Sequence, residues 1–295
     1  MRILLTGGSG QLGRTLIRTA PAAAEIIAPP RDDCDLGDAA SMAALVARLR
    51  PTHIINAAAF TAVDAAESER EVAWRVNAEA PAQLAALAGG VGARLIQVST
   101  DYVFDGTATT PRLPADAVAP INHYGASKLA GEQAVQAAGV PALVVRTSWL
   151  YAPEGRNFVT TMLRLMAPEA ASQQPLRVVS DQVGCPTSSH SLATWLWAAL
   201  AQGVTGLHHW CDAGAVSWHG FALEIQRQAL ACGRLQQAVP VESTTSAAFP
   251  TLARRPAYSV LDCALSATAA GVEQRPWQAA LSQALTGSAV ARQVR

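Results

Sequence analysis

Residues 2–20 read RILLTGGSGQLGRTLIRTA, and this stretch decides the fold of the chain. A short apolar strand runs into a loop that carries Gly7, Gly10 and Gly13, and a helical pattern follows the loop. Glycines let the backbone turn tightly and approach a pyrophosphate closely, while the N–H groups of the following helix attract its charge. The stretch therefore indicates a dinucleotide-binding β-α unit; the alternative is a glycine turn that holds no ligand.

The rest of the first half continues to alternate strands with helices. Helical spacing predicts a helix over 38–50 and a longer one from about Asp64 to Ala88. This alternation is typical of a parallel sheet covered by helices on both faces, so the sequence predicts an α/β fold with a Rossmann-type doubly wound sheet. The apolar runs that predict its further strands are 25–29, 53–59, 94–100 and 142–148.

The second half of the chain has a less regular pattern. We expect residues 1–148 to form the dinucleotide-binding domain, joined by segments that return near 176–187 and 237–242. Residues 149–295 then form a smaller α/β substrate-binding region, which packs against the first domain. Ligands of such sheets bind at the carboxyl ends of the strands, where the strand order reverses, so the strand ends are where we expect the functional residues.

The composition argues against large charged partners. Lys and Arg number 22, as do Asp and Glu, so the formal net charge is zero and no basic field is available for nucleic acid or an anionic membrane. The most apolar stretch, 191–207, stays strongly apolar for about ten residues, half of what a membrane span needs. The chain begins with a strand pattern and its five cysteines form no CxxC pair, so we expect a cytoplasmic protein with reduced thiols.

The end of the second predicted strand bears on the choice of cofactor. Dinucleotide sites often carry an acidic residue there, which holds the adenosine ribose hydroxyls. This chain has Pro30 at that position, followed by Arg31, whose guanidinium can pair with a 2′-phosphate. The sequence therefore favours NADPH, with NADH as the alternative if Arg31 is merely a surface charge.

Tyr124 and Lys128 lie four residues apart at the start of a predicted helix, in PINHYGASKLAGEQAV, residues 120–135. Side chains at this spacing share one face of a helix. An ammonium close to a phenol favours the phenolate, so we expect Lys128 to lower the pKa of Tyr124. A tyrosine tuned in this way can donate a proton to a developing alkoxide. A solvated helix face is the alternative for this motif on its own.

Thr100 ends the fourth predicted strand, in VSTDYVF, residues 98–104. Its hydroxyl is expected at the carboxyl edge of the sheet, close enough to Tyr124 to orient a substrate oxygen. Asp101 and Tyr102 follow in the loop. The alternative for Thr100 is a helix cap, but the residues YVF do not have the pattern of a helix start.

The motifs together resemble the extended branch of the short-chain dehydrogenase/reductase superfamily and, within it, the dTDP-4-dehydrorhamnose reductase family. The resemblance runs from Ile3 to about Asp262 and is specific as a combination. The segments that carry it are GGSGQLGR (7–14), INAAAFTAVDAAE (55–67), VNAEAP (76–81), STDYVFDG (99–106), PINHYGASKLAGE (120–132), RTSWLY (146–151), RNFVTTML (156–163), VVSDQVGCPT (178–187) and RRPAYSVLD (254–262).

The resemblance implies a reduction in the biosynthesis of rhamnose for polysaccharides such as O-antigen lipopolysaccharide. NADPH would reduce the C4 ketone of dTDP-4-dehydro-β-L-rhamnose to give dTDP-L-rhamnose. Tyr124 would protonate the C4 oxygen, Lys128 would bind the nicotinamide ribose, and Thr100 would orient the ketone. Asn77 would serve the structure or a water relay.

The resemblance also assigns residues to the two ligands, so that the region 149–295 becomes the sugar-nucleotide-binding region. Those on the cofactor side are Gly10, Gln11 and Leu12 at the pyrophosphate, Asp35 and Leu36 at the adenine, and Ala59, Phe60 and Thr61 at the ribose, and those on the sugar side are Val63, Asp101, Tyr102 and Trp149.

Three positions refine this interpretation. Some family members bind magnesium at a dimer contact through glutamates, where this chain has Thr15 and His190, so we expect no metal and a monomer or weak homodimer. Tyr102 stands where the dehydratases of the superfamily carry a glutamate, which favours reduction. Two alternatives stay open: an NADP-binding regulatory subunit without turnover, and a reductase or epimerase of another nucleotide sugar.

Overall fold

The first half of the chain alternates strands and helices in the computed structural model, which describes residues 1–167 and 175–290. The elements of this half are β1 (Arg2–Thr6), α1 (Gln11–Arg18), β2 (Glu25–Ile27), α2 (Ala39–Leu49), β3 (His53–Asn56), α3 (Ala65–Ser68), α4 (Arg70–Trp74), α5 (Ala80–Val91), β4 (Arg94–Thr100), α6 (His123–Ala137) and β5 (Ala142–Thr147).

The second half contains shorter strands between longer helices. Its elements are β6 (Leu150–Tyr151), α7 (Phe158–Leu165), β7 (Leu176–Val179), β8 (Val183–Gly184), β9 (Thr187–Ser188), α8 (Ser189–Ala201), β10 (Gly206–His209), β11 (Val216–Ser217), α9 (Trp218–Ala231), β12 (Val241–Thr244), α10 (Ala264–Ala270) and α11 (Trp277–Val290).

Six parallel strands form the central sheet in the order β10-β5-β4-β3-β1-β2. The chain leaves β1 for β2 on one side and returns to β3 on the other, so the strand order reverses between β1 and β3. This topology confirms the predicted Rossmann-type α/β fold. It places the crevice for a ligand above the carboxyl ends of β1 and β3.

Helices cover both faces of the sheet, and the side chains of β1 show why. Leu4 packs with α2 and α5 on one face, whereas Ile3 and Leu5 pack with α1 and α8 on the other. All three are almost completely buried. A strand whose successive side chains are all apolar can be buried on both faces, as a parallel sheet between helical layers requires. A third apolar cluster joins α7, α9 and α11 in the second region.

The helix expected from Asp64 to Ala88 is divided into α3, α4 and α5, with a π-helical turn, Arg75–Glu79, before α5. Pro81 follows this turn and has no N–H to donate to the carbonyl of Asn77, so regular α-helical bonding cannot continue there. A Cβ on Gly131 of α6 would overlap the Asn77 carbonyl oxygen. The absence of a side chain at Gly131 thus lets α6 lie directly against the irregular turn.

The segments that return to the main sheet differ from those expected. Near 176–187 and 237–242, the strands β7 and β12 pair with each other in a separate two-stranded parallel sheet. The segment that joins the main sheet is β10, which lies beside β5. Its two histidines are accommodated inside because Ser266 contacts the ring of His208 at 3.2 Å and the Arg112 carbonyl contacts that of His209 at 3.1 Å.

Within the described ranges, no helix is both long and apolar enough to cross a membrane.

Candidate active site

The cavity lies above the carboxyl ends of the central strands and has a volume of about 850 Å³. Below it, a row of buried polar side chains links three neighbouring strands. The Thr6 hydroxyl donates to Asn56 Oδ1 at 2.6 Å, and Asn56 Nδ2 donates to Gln97 Oε1 at 2.8 Å. The amide and hydroxyl groups at the strand ends are therefore held in fixed orientations.

The structure gathers nearly all of the predicted site residues around this one cavity. Gly13 is the exception and does not line the cavity. A Cβ on Gly13 would overlap the Gly7 carbonyl oxygen, so the glycine lets the loop pack closely against α1. The structure gives the positions of these residues, and their individual roles stay predictions. The predicted residues that line the cavity are Gly7, Gly10, Gln11, Leu12, Arg31, Asp35, Leu36, Ala59, Phe60, Thr61, Val63, Thr100, Asp101, Tyr102, Tyr124, Lys128 and Trp149.

The glycine loop forms a cradle at the N-terminus of α1. Gly7 has a φ of +75°, and a Cβ on it would lie 2.6 Å from the backbone nitrogen of Ala58. A side chain is therefore excluded both by the backbone conformation and by the neighbouring loop. Gly10 precedes α1 without a side-chain cap, so the first N–H groups of the helix remain available to an anionic ligand.

The end of the cavity where the adenine is expected is formed by a short 3-10 helix, Arg31–Asp33, and the residues after it. Arg31 is exposed at this end. Asp35 Oδ1 accepts a hydrogen bond from the backbone of Gly37 at 2.9 Å, which fixes the turn there. The only guanidinium among the cavity-lining residues in the described parts of the chain is thus at the end where a cofactor 2′-phosphate would lie.

Tyr124 is positioned by the first turn of α6. The Asn122 side chain caps this helix by accepting from the Gly125 backbone at 2.7 Å, and it donates to the Arg254 carbonyl at 2.7 Å. A Cβ on Gly125 would overlap the Tyr102 carbonyl oxygen. Glycine at this position lets α6 contact the turn after β4, which brings Tyr124 beside Thr100.

The protonation properties of Tyr124 differ from the expectation. Burial raises the pKa of Tyr124 to about 12, a hydrogen bond with Thr100 works in the opposite direction, and the nearby Asp101 adds to the rise. Lys128 is not among the groups that shift this pKa. Desolvation of the phenol therefore outweighs the effect expected from the i, i+4 spacing.

Lys128 is turned toward the sheet. Its Nζ donates to the Val98 carbonyl at 2.7 Å, the same carbonyl that accepts from Gln97 Nε2 at 2.8 Å. Burial lowers the pKa of Lys128 to about 8, while the carboxylate of Glu132 works against this shift. Lys128 also lines the cavity, and a polar group of a ligand could replace its bond to the strand.

Thr100 performs the capping role that the sequence pattern had argued against. Residues Asp101–Val103 form a 3-10 helix, and Thr100 Oγ1 accepts from the Tyr102 backbone at 3.2 Å. The same hydroxyl contacts Asp101 Oδ1 at 3.1 Å. The capped turn fixes the Thr100 hydroxyl at the edge of the sheet, so the structural role and the expected catalytic position coincide.

Asp101 is the most unusual acidic residue of the site. It is 2% exposed, and its Oδ2 has no hydrogen-bond partner among the described residues. Burial raises the pKa of Asp101 to about 7, although the nearby hydroxyls of Ser259 and Thr100 act in the opposite direction. A carboxyl group with this pKa exchanges its proton near neutral pH.

An aromatic stack forms the wall of the cavity toward the second region. The rings of Trp149 and Trp218 are nearly parallel, at 8°, and their centroids are 3.5 Å apart. Trp149 was expected in the site, whereas sequence reasoning missed Trp218 at the start of α9. Its local pattern is that of any amphipathic helix, and only the fold brings it against Trp149. Other lining residues that were missed include Val72, Val76, Ser99 and Thr147.

No group of three or more His, Cys, Asp or Glu suited to a metal ion occurs in the parts of the chain that the structure describes. Thr15 and His190 line a second cavity of about 230 Å³ between α1, α8 and α11. The Thr15 hydroxyl donates to Ser189 Oγ at 2.9 Å there.

The fold and the site define a dinucleotide-dependent oxidoreductase of the short-chain dehydrogenase/reductase type. The family model described as the RmlD substrate binding domain matches residues 1–290. A dTDP-4-dehydrorhamnose reductase from Burkholderia thailandensis is 41% identical over 298 aligned residues, which cover 95% of this chain and 97% of that protein. The chain therefore belongs to the dTDP-4-dehydrorhamnose reductase family.

Solved structures support the same relationship. The crystal structure of a dTDP-4-dehydrorhamnose reductase from Clostridium acetobutylicum is 37% identical, with a TM-score of 0.90 over 98% of this chain and 100% of that one. The reductase from Bacillus anthracis, solved in complex with NADP, is 34% identical, with a TM-score of 0.89 over 97% of this chain and 99% of that one.

Proposed function

We propose that the chain reduces the C4 ketone of dTDP-4-dehydro-β-L-rhamnose to dTDP-L-rhamnose with NADPH. The observation that carries this proposal is the convergence of Thr100, Tyr124 and Lys128 on the cavity that also contains the glycine cradle. A proton donor and a dinucleotide cradle in one cavity are what the reduction of a ketone requires.

The residues present fit a bound dinucleotide. Gly7 and Gly10 carry no Cβ, and a Cβ at either position would press against neighbouring backbone, so the glycines leave room for a pyrophosphate to approach the loop. The uncapped helix α1 offers its first N–H groups to that pyrophosphate. Arg31 would hold the 2′-phosphate that distinguishes NADPH from NADH. When bound, NADPH supplies the hydride. NADP in the Bacillus anthracis relative supports this choice.

The side chains of the site would manage the proton and the orientation of the ketone. Tyr124 would donate its phenol proton to the C4 oxygen as negative charge develops there. Thr100 lies beside it and would orient the same oxygen. Lys128 would exchange its bond to the Val98 carbonyl for a ribose hydroxyl, and its positive charge would then stabilise the phenolate.

The sugar nucleotide would occupy the part of the cavity between the two regions of the chain. Val63, Asp101, Tyr102 and Trp149 line it there. Tyr102 offers a phenol where the elimination of water would need a carboxylate base, so the site favours reduction over dehydration. As a further proposal, a monomeric or weakly dimeric state agrees with Thr15 and His190, which stand where some family members carry magnesium-binding glutamates. A cytoplasmic location is also proposed, in keeping with the five free cysteines.

The oxidation of NADPH at 340 nm tests this function. We expect turnover with dTDP-4-dehydro-β-L-rhamnose and much slower turnover with the UDP and GDP analogues. Tyr124→Phe should lower kcat by about 10²–10⁴-fold, the usual effect of removing a general acid. Tyr258→Phe is the matched control, because Tyr258 lies outside the cavity. Absence of turnover in intact protein that binds NADPH would support the regulatory-subunit alternative instead.

A further inference from the structure

Tyr124 must regain a proton after every turnover. In the proposed reduction, the substrate oxygen takes the hydrogen of the phenol and Tyr124 is left as a phenolate. The pKa of about 12 that burial imposes on Tyr124 makes this phenolate a strong base in its own surroundings. The enzyme therefore needs a group that returns a proton to Tyr124 and is itself reloaded from solvent.

The groups on the α6 side of Tyr124 are engaged elsewhere. The Asn77 side chain donates to the Phe60 carbonyl at 3.0 Å and to Ser127 Oγ at 3.1 Å, and it accepts from the Phe60 backbone at 2.9 Å. Ser127 in turn donates to the Tyr124 carbonyl at 2.8 Å. These bonds hold the loop after β3 against α6, so Asn77 acts as a structural residue in this conformation.

The opposite side of Tyr124 offers a short path through Thr100. A threonine hydroxyl has one hydrogen and two lone pairs. Thr100 Oγ1 uses one lone pair for the Tyr102 backbone N–H. In this structure the hydrogen is donated to Asp101 Oδ1 at 3.1 Å, and the second lone pair is left for the Tyr124 phenol, which lies beside Thr100. The hydroxyl can therefore accept from one of them while it donates to the other.

Asp101 at the end of this path is a carboxyl group without a structural ion pair. Its Oδ1 contacts Thr100 at 3.1 Å, and its buried Oδ2 has no partner among the described residues although Asp101 lines the cavity. The titratable groups around it are Tyr102 on the same turn, Tyr124 on α6 and Cys185 after β8. Arg255 is paired with Asp64 at 2.7 Å instead of with the Asp101 carboxyl.

We propose that Asp101 supplies, through the Thr100 hydroxyl, the proton that restores Tyr124 after each turnover; the inference rests on the proposed reduction. The Oδ1–H bond of Asp101 breaks as a new O–H bond forms on Thr100, and the original hydrogen of Thr100 passes to the Tyr124 oxygen. Asp101 is left as a carboxylate, and an acid from the solvent reloads it once the product has left. Three oxygens exchange protons and no electrons are transferred, so the step balances.

The variant Asp101→Asn tests the path because an amide keeps the shape of the side chain but delivers no proton. In a single turnover with enzyme and NADPH in excess, Tyr124 starts protonated, so any loss of rate there reports only what Asp101 does in binding and orienting the sugar. Steady-state kcat should fall by about 10–100-fold more than the single-turnover rate, since every later cycle waits for another proton source. An equal loss in both measurements would assign Asp101 to substrate orientation, and no loss in either would remove it from the reaction; both results overturn the inference.

A second measurement needs no turnover and separates this inference from the proposed function. In infrared spectra, the wild type should show the carbonyl band of a protonated carboxyl group at pH 6, weaker at pH 8.5 and missing in Asp101→Asn at both. A wild type that turns over the sugar but lacks this band overturns the inference alone. A wild type that shows the band but does not oxidise NADPH overturns the proposed function, and the inference with it.

Discussion

Glu132 and Arg146 form an ion pair between α6 and β5, with Arg146 Nη2 2.8 Å from Glu132 Oε2 and side-chain exposures of 1% for Glu132 and 3% for Arg146. Ser99 of β4 donates to the same carboxylate, and the guanidinium lies over the Phe104 ring, 5.1 Å from its centroid. Glu132 is one helical turn after Lys128. The pair therefore anchors the helix that carries Tyr124 and Lys128 to the strands at the cavity floor.

We expect Glu132→Gln to lower the free energy of unfolding by about 3–5 kcal/mol, because it leaves the Arg146 charge buried without its partner. Urea unfolding followed by circular dichroism measures the change. Glu242→Gln is the control: Glu242 pairs with Arg177 at 4.0 Å with both side chains largely exposed, and its loss should change stability by less than about 1 kcal/mol. Equal changes in the free energy of unfolding for the two variants would show that the buried pair stabilises the protein no more than the exposed pair does.

The sequence predicted those parts of the site that depend on local signals. The glycine loop, the strand ends and the Tyr124–Lys128 spacing are each contained in a short segment, and the structure gathers them at the predicted edge of the sheet. Parallel strands place their carboxyl ends together, so a correct order of elements is enough to predict which loops meet.

The features that escaped prediction depend on residues far apart in the chain. The strand β10 is stable inside the protein because Ser266 and the Arg112 carbonyl satisfy its histidines, and neither contact is visible in the segment 206–209. Trp218 enters the site only because α9 packs against the loop that carries Trp149. Burial is the largest influence on the pKa of Tyr124, and the extent of burial cannot be predicted from the four-residue spacing to Lys128.

Gly184→Ala should weaken binding of the sugar nucleotide. A Cβ on Gly184 would lie 2.7 Å from Cε2 of Trp149, whose backbone already has a φ of +46°. The indole would have to leave its stack with Trp218, a strain of about 1–3 kcal/mol, so we expect KM for the sugar to rise about 5–100-fold. KM for NADPH should not change, because the cradle is at the other end of the cavity.

Gly90→Ala is the matched control for Gly184→Ala. Gly90 lies within α5 with no atom within 4 Å of an added Cβ, so alanine there should stabilise the helix by about 0.5–1 kcal/mol and leave both KM values unchanged. A normal KM for the sugar in Gly184→Ala would mean that the Trp149 stack is not part of the substrate site.

Arg31→Ala should reduce the preference for NADPH over NADH. Loss of a charge-assisted bond to the 2′-phosphate removes about 1.5–3 kcal/mol, so KM for NADPH should rise about 10–100-fold while KM for NADH stays the same. The exposed Arg48 at the end of α2 lies outside the cavity, and Arg48→Ala controls for the general loss of positive charge. If KM for both cofactors rises equally, Arg31 supports the loop instead of recognising the phosphate.

Asp101→Asn should stabilise the protein at alkaline pH. Burial raises the pKa of Asp101 from 3.8 to about 7, so between these values the folded state keeps a proton that the unfolded state has lost. Stability of the wild type therefore falls as pH rises through this window, and the full penalty of burying the carboxylate is present above pH 7. Asparagine carries no charge and escapes the penalty.

Comparison of urea unfolding at pH 5 and pH 8 measures this effect. The stability of Asp101→Asn relative to the wild type should be higher at pH 8 than at pH 5 by about 2–3 kcal/mol, as a pKa shift of this size requires. The exposed Asp32 is the control, and Asp32→Asn should show no such gain between the two pH values. A difference for Asp101→Asn that does not vary with pH would mean that the carboxyl is already ionised at pH 5, and a group that holds no proton there could not serve as the donor for Tyr124.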